Sequence, residues 1–338
     1  MFVRFFLLSL LLSFLPLSAQ AGKTLEAIKA RKELVCGVST GLAGFSAADS
    51  KGNWTGLDVD VCKALAAAVL GDASRVRWTP LSSQQRFAAL QSGEIDVLSH
   101  NTTWTLTRDA SLGLHFGSIV FHDGQGFMVA KKSKIASAKQ LHNVDVCVQS
   151  GTTTEKNLSD YARAQKLKIK PVVFENYEAS LKAFFSGRCQ AYTTDASSLV
   201  AILHGEARTP GDYLILPELI SKEPLAPAVR RGDDEWFAIV KWVINALIEA
   251  EELGVTQANA DAQKSSADPA VQRLLGGAED LGRALQLDRD WAYRAIKAVG
   301  NYGEVFERNL GSGSALKLSR GANRLWSKGG LIYAPPLR

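Results

Sequence analysis

A chain of 338 residues, 46% hydrophobic and 22% charged, has the composition of an ordinary globular protein and is too apolar for intrinsic disorder. Its net charge of +5 is scattered, and the densest basic stretch is Lys131-Lys132-Ser133-Lys134. No nucleic-acid partner is expected, because such a binder gathers its charge on one face or helix.

Residues 1–21 read as a signal peptide. Arg4 is a short basic start, Phe5–Leu17 is an apolar run, and Ala19-Gln20-Ala21 has the small-x-small form of a cleavage site. Thirteen apolar residues fall short of the roughly 20 that span a bilayer. No cysteine follows the run, so a soluble, exported, periplasmic chain starting at Gly22 is expected. Strand Leu34–Val38 opens the folded part and leads into the small-residue loop Ser39–Gly44. A helix is expected over Leu57–Leu70, where Leu57, Val61, Leu65 and Val69 recur four apart. Strand Val76–Trp78, helix Ser83–Gln91 closed by Gly93, and strand Ile95–Ser99 follow, the last delivering Asn101-Thr102-Thr103-Trp104-Thr105-Leu106-Thr107-Arg108.

The plan then repeats. Glu33–Gly41 is echoed by Val144–Thr152 (144 − 33 = 111), and Arg86–Asn101 by Ser180–Asp195 (180 − 86 = 94). The second copy reads as strand Val144–Val148, a helix opened by Gly151-Thr152-Thr153-Thr154 and running to about Gln165, and strand Ile169–Phe174. Helix Tyr177–Phe185 and strand Cys189–Thr193, ending at Asp195, complete it. Extended segment Asp123–Lys132 lies between the copies and Ile220–Asp234 follows the second, and together they read as a two-strand hinge. Glu235–Leu253 is apolar nearly all round, with Asp233 or Asp234 as N-cap and Gly254 just past its end, which fits a buried helix. The expected fold class is α/β: two doubly wound lobes, residues 22–124 and 125–224, with 225–338 returning to lobe one and adding a helical extension.

Open α/β sheets bind ligands at the carboxyl ends of their strands, and here both copies place Ser, Thr, Asn or Asp there. Four cysteines allow three disulfide connectivities. Cys36 and Cys147 hold equivalent places in the repeat, so the within-lobe pairs Cys36–Cys62 and Cys147–Cys189 are expected; cross-lobe pairs would weld the cleft shut, and four buried free thiols are the alternative. Arg108 offers a bidentate fork to a carboxylate, with Asn101 and Thr103 beside it. Gly151, Thr152 and Thr153 open a helix whose free N–H groups favour an anion. Asp195 is an acceptor suited to an ammonium group. Taken singly, these residues are ordinarily a surface ion-pair partner, an N-cap and a turn residue; together they describe an α-amino acid site. No catalytic or metal motif is present in the sequence, and His100, beside Asn101, reads as a satisfied structural histidine.

GNWTGLDVDVCKALAAAV, LQSGEIDVL, the threonine-rich loop closing at Arg108, VQSGTTTE and YTTD resemble the type II periplasmic solute-binding proteins of polar amino acid ABC importers. NTTWTLTRD, DGQGFMV, ISKEPLAPAVRRGDDEWF, NYGEVFERNLG and RLWSKGGLIYAPPLR are similar to the general L-amino-acid-binding proteins of proteobacteria. The resemblance implies a two-lobed trap that closes on an L-amino acid and docks on membrane permease subunits, with no cofactor; a monomer is expected. It also implies that Arg108, Thr103 and the Gly151–Thr153 loop hold the carboxylate, and Asp195 the amine. Where narrow-specificity relatives carry an acidic residue and a stacking aromatic in the first loop, this chain has Ser39 and Leu42. A broad range of ligands is therefore expected, with Phe45 and Trp104 as aromatic candidates against the side chain. An exported enzyme on the same fold, such as a dehydratase acting on a small carboxylate, is the alternative; its acid or base would have to be His100 or Asp195.

Overall fold

The structure, a computed structural model, describes residues 23–338; the expected signal peptide and its cleavage site lie outside the described residues. Helix α1 (Lys23–Arg31) leads into β1 (Leu34–Ser39), a small hairpin of β2 (Ala47–Ala48) and β3 (Trp54–Thr55), and α2 (Leu57–Leu70). Then come β4 (Val76–Leu81), α3 (Arg86–Ser92), β5 (Val97–Leu98), β6 (Leu114–Phe116), β7 (Phe121–Asp123) and β8 (Gln125–Ala130). The second copy comprises β9 (Val144–Gln149), α4 (Thr153–Ala164), β10 (Ile169–Phe174), α5 (Tyr177–Phe185), β11 (Ala191–Asp195), α6 (Ala196–Gly205) and β12 (Tyr213–Ile215). Strands β13 (Glu223–Leu225) and β14 (Ala228–Arg230) precede α7 (Asp234–Glu252), α8 (Ala260–Gln263), α9 (Pro269–Leu274), α10 (Trp291–Val299) and α11 (Tyr302–Asn309).

Two five-stranded sheets result, ordered β4-β1-β5-β14-β6 and β10-β9-β11-β8-β12. They match strand for strand. In each, three parallel strands come from one copy of the repeat, and the fourth, antiparallel, strand is supplied by the segment that has just crossed from the other lobe. The crossing itself is an antiparallel pair, β7 with β13, in the register Glu223↔Asp123. Both faces of each sheet are apolar because helices cover both. In β9, Val144, Val146 and Val148 enter one core while Cys147 enters the other, the period-2 alternation of a strand.

Several boundaries differ from expectation, each for a local reason. Helix α3 starts at Arg86, not Ser83, because Ser82 and Gln85 satisfy each other: Ser82 Oγ donates to Gln85 Oε1 (3.0 Å) and accepts from Gln85 N (3.3 Å). Strand Ile95–Ser99 narrows to Val97–Leu98, since Asp58 accepts from Ser99 Oγ (3.1 Å) and Asn101 N (2.8 Å) and turns the chain toward α2. Strand β11 starts at Ala191 rather than Cys189, because Gln190 pairs both its N–H and its side chain with the Asp145 backbone. Helix α2 has the expected bounds but is buried on nearly every side, Asp58 and Asp60 included.

The C-terminal segment causes that burial. Trp291, Ile296 and Val299 of α10 and Tyr302 and Phe306 of α11 share one core with Cys36, Cys62, Leu65 and Trp236. Each such side chain contributes about 1.5–3 kcal/mol when buried, so the extension is part of the lobe-one fold rather than an appendage. It also grips the hinge: Tyr302 Oη donates to Val120 O (2.8 Å), and the Asn323 amide accepts from His122 N (2.6 Å) and donates to His122 O (3.1 Å). Cys36–Cys62 joins β1 to α2 and Cys147–Cys189 joins β9 to the approach to β11, with Cα separations of 6.4 and 5.6 Å. Both bonds are therefore internal to one lobe and leave the hinge unlocked. Among the described residues no helix is long and apolar enough to cross a membrane.

Candidate functional site

The lobe-one arm is the loop from Ser99 to Arg108. Asn101 adopts φ +36°, a conformation Asn tolerates better than most residues, and its N–H is fixed by Asp58. Burial pushes the Asp58 carboxyl up to about 7 against the pull of those hydrogen bonds and of Arg86. Arg86 is itself buried; its Nη1 donates to His100 Nδ1, His100 O and Thr102 Oγ1, each at 3.3 Å. His100 Nε2 donates to Leu81 O (2.8 Å). With Arg86 against its other nitrogen, burial and that charge push His100 down to about 4, so the ring is neutral near pH 7. The structural reading of His100 fits this environment, with both ring nitrogens engaged.

Arg108 lies in a single π-helical turn, Thr107–Ser111. Its guanidinium rests over the Phe87 ring, 5.0 Å from the centroid, and Nη1 donates to Thr103 O (2.9 Å). The side chain is buried yet forms no ion pair with a carboxylate among the described residues. Burial draws its pKa down to about 10, opposed by Glu223 and Asp195. Four further donors remain on the fork.

On the lobe-two side, Asp195 ends β11 and begins α6 without capping it: its side chain takes no capping hydrogen bond. Burial raises its pKa well above the ordinary value, and Asp123 and Glu223 push the same way; Arg86 and Arg108 pull it back. Asp123, across the hinge pair, accepts from Ser197 and from Gly124 N (2.8 Å), and burial pushes it up to about 6. Thr152 is the N-cap of α4, accepting from Glu155 N (3.2 Å) and donating to Gln149 O (2.6 Å). Gly151 N donates to Glu155 Oε2 (3.1 Å), while Thr153 and Thr154 stand where helix N–H groups have no intrahelical acceptor.

The lobes touch across the cleft. Gln84 Nε2 donates to Ser150 Oγ (2.6 Å), and a Cβ on Gly151 would sit 3.1–3.3 Å from Ser83 and Gln84. Glu223 of the hinge lies between them, accepting from Thr103 Oγ1 (2.6 Å), Thr153 Oγ1 (2.8 Å) and Asn157 Nδ2 (2.7 Å). A void of about 440 Å³, counted out to solvent, lies under the contact and is lined by Ser39, Thr40, Gly41, Leu42, Ser82, Ser83, His100 and Asn101 from one lobe. Gln149, Tyr177, Thr194 and Ser198 line it from the other.

Of the residues singled out in the sequence, Asn101 lines this void, and Asp195 flanks it through Thr194 and Ser198. Arg108, Thr103 and Thr153 gather with Asp195 around Glu223. Thr152 spends its hydroxyl on the helix start. Of the aromatic candidates, Phe45 is in the core, edge-on to Phe121, and Trp104 stacks on Phe116; Tyr177 is the ring that lines the void. Sequence reasoning missed Glu223, Arg86 and Asp58. A charged residue inside an otherwise apolar or hinge segment was the available signal for each.

Two matched α/β lobes, linked by two strands and meeting over a cleft of strand-end loops, define a type II periplasmic binding protein. The chain belongs to the bacterial extracellular solute-binding proteins, family 3, whose model matches residues 34–259. It is 55% identical over 323 residues to the general L-amino acid-binding periplasmic protein AapJ of Rhizobium johnstonii, covering 95% of this chain and 94% of that one. It is 48% identical over 333 residues to the glutamate/glutamine/aspartate/asparagine-binding protein BztA of Rhodobacter capsulatus, covering 98% of each. A solved ABC transporter/periplasmic binding protein from Brucella ovis with glutathione bound superposes with a TM-score of 0.91 at 54% identity, covering 93% of this chain and 99% of that one. An ancestral arginine-binding protein bound to arginine matches at 29% identity and TM-score 0.57 over 66% of this chain and 94% of its own. That smaller relative fits within two thirds of the chain.

Proposed function

We propose that this protein is the periplasmic substrate-binding component of an amino acid ABC importer, taking L-amino acids of several side-chain classes between its lobes and delivering them to the membrane permease. The observation that carries the reading is a pair of buried, complementary groups, a guanidinium and a carboxyl, neither spent on a partner of the protein's own. Arg108 has no carboxylate partner among the described residues, and the Asp195 side chain takes no capping bond. Burying a charge unpaired is costly, and a zwitterionic α-amino acid satisfies both at once. The residues assigned to the ligand are Arg108, Thr103, Asn101, Gly151, Thr152, Thr153 and Asp195, with the middle segment, residues 125–224, as the closing lobe.

Breadth follows from the void: no lining residue carries a charge when His100 is neutral, so nothing there selects an acidic, neutral or basic side chain. The relatives named for general L-amino acids, and for four acidic and amide amino acids, support this. Glutathione, seen in the Brucella protein, carries the same α-amino-carboxylate on its γ-glutamyl end. Capture rather than catalysis and a monomeric state belong to the same proposal. Calorimetry of the purified mature chain against the common amino acids and glutathione tests it. Binding of several chemically distinct L-amino acids is expected; binding of none, or turnover of any, would overturn it.

A further inference from the structure

The hinge pair β7 and β13 has two outer edges, and lobe one covers both. Pro224 stands opposite His122 and has no N–H to give it. His122 turns its own N–H and C=O outward, where the Asn323 side chain takes both, accepting from the N–H (2.6 Å) and donating to the C=O (3.1 Å). A neighbouring antiparallel strand exchanges the same two bonds with one residue of its partner. A single amide of the C-terminal extension thus stands in for a third strand. On the far edge, Trp104 N donates to Pro224 O (2.8 Å), Ala226 N donates to Thr102 O (3.0 Å), and Thr103 pairs antiparallel with Leu225.

Asn323 is itself held. It is 4% exposed, and its carbonyl accepts from Arg320 Nε (3.0 Å) and Nη2 (2.8 Å). The Arg320 guanidinium makes a two-pronged ion pair with Glu251 of α7 and lies over the Tyr302 ring. The Tyr302 hydroxyl in turn donates to Val120 O, just ahead of β7. Lobe two takes hold further along. Gly124 O accepts from Ala196 N (2.8 Å), and Ser221 Oγ accepts from Gln125 N (3.2 Å). Between the two holds lie only Asp123 on one strand and Lys222 and Glu223 on the other.

We infer that Asn323 is a positioning residue that fixes the lobe-one half of the hinge, so that lobe two turns about Asp123 and Lys222–Glu223 alone. Phe121, His122, Pro224 and Leu225 stay with lobe one as it does so. The inference rests on the amino acid reading above for the ligand that drives closure. A hinge already ordered when ligand arrives leaves less backbone to order on closing, and such ordering costs affinity. The extension therefore tightens binding from outside the site, since neither Asn323 nor Tyr302 lines the void.

The test uses the full mature chain, with L-glutamine and L-glutamate as probes. Hydrogen exchange, read residue by residue, compares the free protein with its L-glutamine complex. The His122 amide should be protected in both states, to within about threefold. Protection that appears only with ligand would mean that Asn323 lets go when the lobes part, and would overturn the inference. By calorimetry, Asn323→Ala should bind both probes about threefold more weakly or worse, because closure is what it makes costlier. The two losses should agree within about twofold, since no ligand contact is removed. Unchanged affinity, or a loss confined to one probe, overturns the inference as well. Tyr302→Phe removes a bond to the same strand and should weaken both probes by less; it stands in, with the same outcomes deciding, should Asn323→Ala fail to fold. If the wild type binds no amino acid, the proposed function fails. The His122 amide of the free chain then still decides on the hold of Asn323, and an unprotected amide refutes it.

Discussion

Helices α2 and α4 occupy the same place in the two lobes, each following the first strand, yet they live in different surroundings. In α2 twelve of fourteen residues are buried; in α4 only Thr154 and Leu158 are. The difference is written in the residues: LDVDVCKALAAAVL is apolar on every side, whereas TTEKNLSDYARA keeps a polar face. Lobe one carries the C-terminal extension on its outer surface, and lobe two leaves the equivalent surface to solvent. The same division runs into the site. Lobe one carries Arg108, held by Thr103 O and the Phe87 ring on a loop that Asp58 and Arg86 anchor; lobe two carries Asp195 and a helix start that opens on the cleft. One lobe is buttressed by the extension, and the other is not.

The largest effect expected from this division is on binding. On the proposed reading Arg108→Ala removes a bidentate partner for the ligand carboxylate, and hydrogen bonds to charged groups contribute about 1.5–3 kcal/mol each, so two prongs amount to about two to four decades of affinity. Lysine should rescue poorly, since an ammonium cannot form the planar fork. Asp195→Asn should be milder, because the amide oxygen still accepts. Calorimetry with a bound amino acid checks the ordering; a near-wild-type Arg108→Ala beside a dead Asp195→Asn would place the anion site at the α4 start. Binding of an ammonium beside Asp195 should also release protons, because burial and its acidic neighbours hold this carboxyl above its ordinary pKa in the free protein.

Next comes Gly56, the N-cap of α2, at φ +132°. A Cβ there would lie 2.0 Å from Phe45 O and 2.3 Å from Phe45 C. Serine, ordinarily a better cap than glycine, should therefore destabilise lobe one by more than about 4 kcal/mol, the range reserved for named steric or burial faults. Denaturant unfolding of Gly56→Ser measures it. A stabilised variant would mean that the loop 42–46 can move aside and that lobe one is less rigid than its burial implies.

How far the sequence could be read follows from the same contrast. The repeat, the succession of strands and helices and both disulfide pairs were legible because each lobe obeys local rules: apolar strands, glycine-closed helices, equivalent cysteines. The extension's grip on α2 was written in that helix's all-round apolarity but could not be assigned a partner, since the covering residues lie more than two hundred positions away. Glu223 showed only as a charge in a hinge segment, and its place in the site was hidden for another reason. Its four donors come from residues 103, 153, 157 and 221, and only the folded hinge brings them together. Thr152 and Thr153 look alike in the sequence, and only the N-cap geometry separates one from the other.

Asp58 gives a pH test of the buttressed lobe. Its folded-state pKa, raised from 3.8 to about 7 by burial, means that the folded protein holds this proton more tightly than the unfolded chain does. The stabilising contribution is complete below about pH 4 and is lost as pH rises through about 7. Asp58→Asn keeps an acceptor for Asn101 N and turns its NH2 to the Ser99 hydroxyl, which can accept as well as donate, but does not titrate. The stability of wild type relative to this variant should therefore fall between pH 4 and pH 8, as followed by thermal unfolding at each pH. The equivalent second position of α4 is Thr154, which does not titrate, and the raised carboxyl of Asp195 is common to both proteins and drops out of the comparison. A gap between the two proteins that widens in favour of wild type as pH rises would reverse the sign and refute the burial argument.

The smallest expected effect is at Thr152, the lobe-two counterpart of Gly56. Here the cap is a side chain: Oγ1 accepts from Glu155 N and donates to Gln149 O. Thr152→Ala should cost about 1 kcal/mol of stability, as N-cap deletions ordinarily do, and Thr152→Ser should recover most of it. Hydrogen exchange at the Glu155 amide should quicken by a comparable factor, because that N–H loses its acceptor. Ligand affinity should fall only modestly, since the hydroxyl is already committed to the helix. If Thr152→Ala instead lost affinity by decades while the unfolding midpoint scarcely moved, the hydroxyl would have to leave its cap when ligand enters. The start of α4 would then be a moving part of the site, and the lobe without the buttress would also be the lobe that rearranges.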